Sequence, residues 1–400
     1  MNLPTNVFKE NPSRGVFITG EIDEPLFKEL LPQIVKFRES NEPICVYIDS
    51  GGGKIFFADL IANIIRCPNQ DGKVCPLIAV GMTFAGSCAA DLLALGDYSI
   101  VYPFCTVYYH GTRQKSDEIT LQKIPNLAGS LRDTNEQYAL RLAGRMFRRM
   151  MFLLIEVAMA KKMQQHPGES IVPGPLIDVT KLDKEIEHFE KTLAEKLAVL
   201  NKETHLFDEA LAKRGKFMGL LESLKTEKID IKNQAALFKH LIDLESKSSP
   251  KDKLTDLLPV IEDDYQQIMD FYFGKYQRNL NAIITESQFA LLTPTEAQKC
   301  LAETDPKARQ KFIIQTVSPR LERLWFLVVS LARTLQEGEF PMNAIEAYWL
   351  GLVDEVINSG LGCLRIRSVQ MQGMAQKIME LQQKEAQAKA PPGAASMPGK

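Results

Sequence analysis

The segment ICVYIDSGGGKI, residues 44–55, joins a continuous apolar run to three consecutive glycines. Such a run predicts a buried strand and a tight turn, and the apolar spacing from Lys54 to Arg66 predicts a helix after it. Because glycine adopts backbone dihedrals that other residues avoid, this turn can bring its N–H groups close to a ligand at the helix start. A plain tight turn explains the motif equally well, and its spacing matches neither a P-loop nor a dinucleotide-binding motif.

The same alternation of strand and helix extends from about Gly15 to Gly144. Continuous apolar strands, each followed by a helix, indicate an α/β fold with a parallel sheet covered on both faces. The other predicted strands are Gly15–Gly20, Pro76–Gly81, Tyr98–Val101 and Thr106–Tyr109.

The rest of the chain changes character after residue 144. Residues 145–335 are rich in helix formers and predict a large all-α insertion, which would pack on itself or on a sister subunit. Residues 336–368 predict a closing helix–turn–strand that returns to the core formed by residues 1–144. Residues 369–400 are poor in large apolar side chains, so we expect a partly disordered tail.

Composition excludes several classes of protein. The 400 residues carry a net charge of −2, which argues against a nucleic-acid binder. No apolar run reaches the roughly 20 residues that span a bilayer, and the first residues lack the apolar core of a signal peptide. The seven cysteines include no C-x-x-C pair, which predicts buried thiols in a reducing compartment and hence a cytoplasmic protein. No metal or organic cofactor is implied.

Two residues that follow predicted strands can carry chemistry. Ser87, in VGMTFAGSCAADLL (residues 80–93), begins a helix and is either a structural N-cap or a nucleophile beside the N–H of Cys88. His110 ends the strand in YPFCTVYYHG, residues 102–111, and is either a structural histidine or a general base. Since functional groups of parallel sheets gather at the carboxyl ends of strands, we expect Ser87, His110 and the glycine turn to meet at one edge.

These segments resemble the proteolytic subunit of the Clp protease, within the wider Clp/crotonase fold class. The similar stretches, in chain order, are GVFITGEID, YIDSGGGKI, SCAADLLALG, YPFCTVYYH and AIEAYWLGLVDEVI. They cover about Gly15–Gly144 and Glu339–Ile357. The resemblance implies a repeated β-β-α superhelix, to which the helical insertion is added.

The resemblance also implies a serine-type peptide hydrolase that works through an acyl-enzyme. Ser87 would be the nucleophile, His110 its base, and the backbone N–H groups of Gly52 and Cys88 the oxyanion hole. It further implies a peptide or protein substrate and a homo-oligomer, and leaves open whether an ATPase or another partner protein feeds the enzyme.

The third member of the expected catalytic triad is not evident. Where the family carries an aspartate, this sequence reads RTLQEGEF, residues 333–340, and Thr334 falls nearest the position. Glu337 and Glu339 are the candidates for the third member, and Asp91, one helical turn after Ser87, is a weaker one.

Two other functions remain open at this point. The chain could be a weakly active or inactive Clp-fold scaffold whose helical insertion binds a partner or directs assembly, and the missing aspartate favours this. It could also be a crotonase-like acyl-CoA enzyme, although the pair of Ser87 and His110 disfavours that class.

Overall fold

The computed structural model describes residues 10–113, 123–165, 179–200, 205–230 and 291–362, together with isolated residues between these ranges. The predicted tail, residues 369–400, lies outside the described residues.

A seven-stranded sheet combines five strands from the first third of the chain with two short strands from the closing segment. Its main strands lie in the order β1–β2–β3–β4–β7 and are all parallel, while β5 pairs with the end of β3 and, antiparallel, with β6. The α/β class predicted from the sequence is therefore confirmed. The strands are β1 (Gly15–Ile22), β2 (Ile44–Gly53), β3 (Leu77–Gly86), β4 (Tyr98–Val101), β5 (Thr106–Tyr108), β6 (Pro341–Met342) and β7 (Glu355–Val356).

Two strands extend beyond the ends that the sequence predicts for them. The glycines at 51–53 continue β2, because residues 52 and 53 pair with Glu21 and Ile22 after a shift in register. Residues 84–86 continue β3, because they pair with β5. The glycine turn and the end of the third predicted strand at Gly81 were therefore placed wrongly, because an isolated segment does not reveal that a distant strand will extend its pairing.

Three helices cover one face of the sheet: α1 (Glu24–Phe37), α2 (Ile55–Arg66) and α3 (Cys88–Ala94). Asp23 caps α1 by accepting a hydrogen bond from the N–H of Leu26 at 3.1 Å. Leu30 and Ile34 of α1 and Ile61 of α2 are buried in one core cluster with the inward side chains of the strands.

Six further helices have described bounds in the rest of the chain. Two aromatic contacts join three of these helices, Phe147 against Trp325 with ring centroids 5.3 Å apart and Phe217 against Phe326 at 5.6 Å. The helices are α4 (Lys123–Gln165), α5 (Leu182–Leu200), α6 (Leu206–Thr226), α7 (Pro294–Ala302) and α8 (Pro306–Gly338), and α9 (Ala344–Trp349) follows in the closing segment.

Helix α4 passes through the predicted boundary at residue 144 without interruption. Beyond that boundary, the buried Arg149 of α4 forms an ion pair of 3.0 Å with the buried Asp354 and donates to Ser99 Oγ at 2.9 Å. The first part of the predicted insertion thus contacts the sheet directly. The division into a core and an insertion stays a prediction.

Candidate functional site

Ser87 lies where β3 ends and α3 begins, with a backbone that few residues adopt. Its φ is 54° and its ψ is −132°, a conformation costly for a residue with a side chain. The Ser87 N–H donates to the carbonyl of Tyr108 at 2.8 Å, which fixes the turn against β5. The Ser87 hydroxyl makes no capping hydrogen bond to α3, so the N-cap interpretation does not explain this serine.

Gly52 contacts the Ser87 side chain closely. A Cβ built on Gly52 would lie 2.7 Å from Ser87 Cβ, 2.8 Å from the carbonyl oxygen of Gly86 and 3.2 Å from Ser87 Oγ. The φ of Gly52 is +97°, which also requires glycine. The end of β2 and the serine turn therefore form one surface, as expected for the glycine segment.

The two expected oxyanion donors differ in their hydrogen bonding. Among the described residues, the Cys88 N–H has no backbone acceptor. The Gly52 N–H donates to Ser50 Oγ at 3.1 Å, and the Ser50 hydroxyl donates in turn to the carbonyl of Gly20 at 2.5 Å. Sequence reasoning missed Ser50, although it directly precedes the glycines.

Cys88 itself stays a neutral thiol beside Ser87. Burial raises its pKa to about 11, and the nearby charge of Asp91 acts in the same direction. Since the thiolate is the nucleophilic form of cysteine, Cys88 does not compete with Ser87 at neutral pH.

His110 lies two residues beyond the Tyr108 carbonyl that accepts from Ser87, so the pairing of β3 with β5 brings both residues to the same edge. Its Nδ1 lies 2.7 Å from the carbonyl oxygen of Gly111. Because a carbonyl only accepts, we assign the hydrogen to Nδ1, which leaves the lone pair on Nε2. Within the described part of the chain, no hydrogen bond joins His110 to Ser87, and such bonds often tighten only when substrate binds.

The two carboxylates expected near His110 have other partners. Glu339 forms an ion pair with Arg113 and accepts from the Tyr108 hydroxyl at 3.4 Å, and the hydrogen bond from Arg113 lowers its pKa. Glu337 forms an ion pair of 2.6 Å with Lys213. Among the described residues, neither carboxylate forms a hydrogen bond with His110.

Two other positions considered for the third member are also described. Thr334 is fully buried, and its hydroxyl has no hydrogen-bond partner among the described residues. Asp91 lies one turn along α3 from Ser87. Burial raises its pKa to about 7 against the opposing charges of Arg145 and Arg141, so much of this carboxyl stays protonated near neutral pH.

The described residues include no group of three or more His, Cys, Asp or Glu side chains that could hold a metal ion. None of the described helices is long and apolar enough to cross a membrane. A cavity of about 70 Å³ lies between α5, α6 and the closing segment, and neither Ser87 nor His110 lines it.

Comparison with known proteins bears on the N-terminal third. The family model of the Clp protease matches residues 6–139. Among solved structures, an asparagine-to-aspartate mutant of ClpP1 from Listeria monocytogenes is 20% identical, with a TM-score of 0.28; the match covers 34% of this chain and 72% of that one. No curated protein matches the chain. The matched residues include Gly52, Ser87 and His110, and over this region the chain is similar to the Clp protease family.

Proposed function

We propose that this chain is a serine-type peptide hydrolase with Ser87 as its nucleophile. The observation that carries the proposal is the backbone of Ser87, with φ 54° and ψ −132°, at a strand-to-helix turn where its hydroxyl caps nothing. A strained turn of this kind presents a serine hydroxyl at the top of a sheet in other hydrolases. A merely structural serine gives no reason to hold such a conformation.

The proposed reaction uses groups at the same sheet edge. Ser87 Oγ attacks the peptide carbonyl carbon while His110 Nε2 takes the hydroxyl proton, and the C–N bond breaks as that proton passes to the leaving amine. Water then attacks the acyl-enzyme and gives a proton to His110; as the ester C–O bond breaks, His110 returns that proton to Ser87 Oγ and the acid leaves. The Cys88 N–H stabilises the oxyanion, and the Gly52 N–H joins it only after leaving Ser50 Oγ.

The proposal extends to features that rest on the resemblance. We infer a repeated β-β-α fold of the Clp/crotonase type with residues 145–335 as an insertion, a homo-oligomer, and a peptide or protein substrate in the cytoplasm. Glu337 and Glu339 stay candidates for a third catalytic member. Either one would have to leave its present ion pair, with Lys213 or Arg113, and form a hydrogen bond with His110.

The second candidate function is a weakly active or inactive scaffold. Two observations favour it: among the described residues no hydrogen bond joins His110 to a carboxylate, and the Gly52 N–H is occupied by Ser50. Losing the orienting carboxylate of a serine triad costs about 10⁴-fold in rate.

Labelling with a fluorophosphonate probe, read by intact mass, separates the two functions. We expect one adduct on the wild-type protein and none on Ser87→Ala. The matched control is Ser223→Ala: Ser223 Oγ lies 2.9 Å from His240 Nε2, whose Nδ1 lies 2.9 Å from a carboxylate oxygen of Glu227. Ser223 thus has a histidine and a carboxylate beside it. It lies inside α6, however, where the backbone N–H groups bond along the helix and are not available to an oxyanion.

The Ser223→Ala protein should keep the adduct. If folded wild-type protein takes up no probe, the hydrolase proposal is wrong and the scaffold function replaces it. Loss of the adduct in Ser223→Ala would move the nucleophile to α6.

A further inference from the structure

His110 is oriented by the main chain. Its Nδ1 lies 2.7 Å from the Gly111 carbonyl oxygen. In a serine triad, a carboxylate accepts the hydrogen bond from this ring nitrogen. A carbonyl oxygen selects the same histidine tautomer as a carboxylate, although without the full negative charge that would stabilise the protonated ring. The position of the Gly111 peptide therefore decides the direction of His110 Nε2.

The segment after His110 is held by a side chain from α4. The N–H of Thr112 donates to Asn135 Oδ1 at 2.6 Å. Gly111 lies between α4 and α8, because a Cβ built on it would be 3.2 Å from Asn135 Nδ2 and 3.5 Å from the carbonyl oxygen of Gln336. The peptide that orients His110 is thus confined by Asn135 on one side and by the α8 backbone on the other.

We propose that Asn135 is a positioning residue of the site, which fixes the Gly111 carbonyl and through it the tautomer and direction of His110. The inference rests on the proposed function for its effect on catalysis, but its structural part is independent of activity. It makes the orienting unit a backbone carbonyl braced by an amide, in place of an acidic side chain.

The test uses the full chain and three variants. Asn135→Ala removes the acceptor for the Thr112 N–H, Asn135→Asp keeps an oxygen there, and Gln137→Ala changes an exposed side chain two residues further along α4. The first readout is the tautomer of His110, measured by ¹⁵N NMR of the imidazole. The second is the rate at which Ser87 reacts with the fluorophosphonate probe, and thermal unfolding reports whether each variant folds.

We expect the wild-type protein and Gln137→Ala to show His110 with its hydrogen on Nδ1. Asn135→Ala should mix the two tautomers and slow probe labelling by up to about 100-fold, the loss expected for a misplacement of about 1 Å. Asn135→Asp should restore the wild-type tautomer and most of the labelling rate.

The results separate this inference from the proposed function. An unchanged His110 tautomer in folded Asn135→Ala overturns the inference, whatever the activity. A tautomer that depends on Asn135, in a wild-type protein that takes up no probe, upholds the inference and removes the hydrolase function. If Asn135→Ala does not fold, the tautomer in Asn135→Asp decides, because a shift to Nε2–H there overturns the inference as well.

Discussion

The contact between Gly52 and Ser87 can be tested with a series of glycine-to-alanine substitutions. Gly52→Ala places a methyl group 2.7 Å from Ser87 Cβ and 2.8 Å from the Gly86 carbonyl oxygen, at a φ of +97°. Two controls separate the causes. Gly20 has a φ of +75° with open space around it, and Gly51 has neither a positive φ nor a neighbour closer than 3.9 Å.

The magnitudes follow from these environments. A positive φ costs an alanine about 1–2 kcal/mol, so Gly20→Ala should lose about that much free energy of unfolding. Overpacking against backbone and Ser87 adds about 1–3 kcal/mol, so Gly52→Ala should lose about 2–5 kcal/mol. Gly51→Ala should stay within about 0.5 kcal/mol of the wild-type protein.

Urea unfolding followed by circular dichroism measures stability, and fluorophosphonate labelling measures the state of Ser87. Gly52→Ala should lose labelling in the folded protein, whereas both control variants should keep it. A Gly52→Ala protein no less stable than Gly20→Ala, with labelling intact, would show that Gly52 does not touch Ser87 in solution.

Three further predictions concern charged groups. The Asp91 pKa of about 7 exceeds its ordinary 3.8, so between these values the folded chain keeps a proton that the unfolded chain loses. The free energy of unfolding should therefore fall as the pH rises from about 4 to about 7. In urea titrations across this range, Asp91→Asn should flatten that decline. The whole shift in pKa corresponds to a change of about 4 kcal/mol in the free energy of unfolding. Because Asp91 is partly exposed, we expect about half of that change. Glu339→Gln should change the labelling rate of Ser87 less than about threefold, because the Glu339 carboxylate pairs with Arg113. A loss of about 10⁴-fold would identify Glu339 as the third member of the catalytic triad. Arg149→Met should cost about 3–5 kcal/mol in urea unfolding by leaving Asp354 buried without its cation, and a loss below 1 kcal/mol would contradict the burial of this pair.

Local patterns in the sequence predict the elements well. The strand Tyr98–Val101 has in the structure the bounds that its apolar run predicts, and the helix expected from Lys54 to Arg66 spans Ile55–Arg66. The bounds of both elements depend mainly on neighbouring residues, so the spacing of apolar residues in a short segment is enough to predict them. The extensions of β2 and β3 depend on distant strands, so the same patterns end those strands too early.

For the candidate site too, the sequence predicts the positions of residues but not the contacts between distant ones. Ser87, His110 and the glycines could be proposed because each follows an apolar run, and sheet topology brings such positions to one edge. The bonds that set their chemistry could not be predicted, because they join residues far apart in sequence. Ser50 contacts Gly20, which lies 30 residues away, and Asn135 holds Thr112 across 23 residues. No local signal predicts which of many asparagines will make such a contact.

The neutral thiol of Cys88 has a consequence for how this protein tolerates oxidants. With a pKa of about 11, only about one molecule in 3,000 carries the thiolate at pH 7.5, and the sulfur is buried. Peroxide and alkylating agents react with the thiolate, so the residue adjoining the proposed nucleophile should resist both. Oxidants and cysteine-directed reagents should thus leave Cys88 unmodified, so a loss of the proposed Ser87 labelling after such treatment would have to arise elsewhere in the protein.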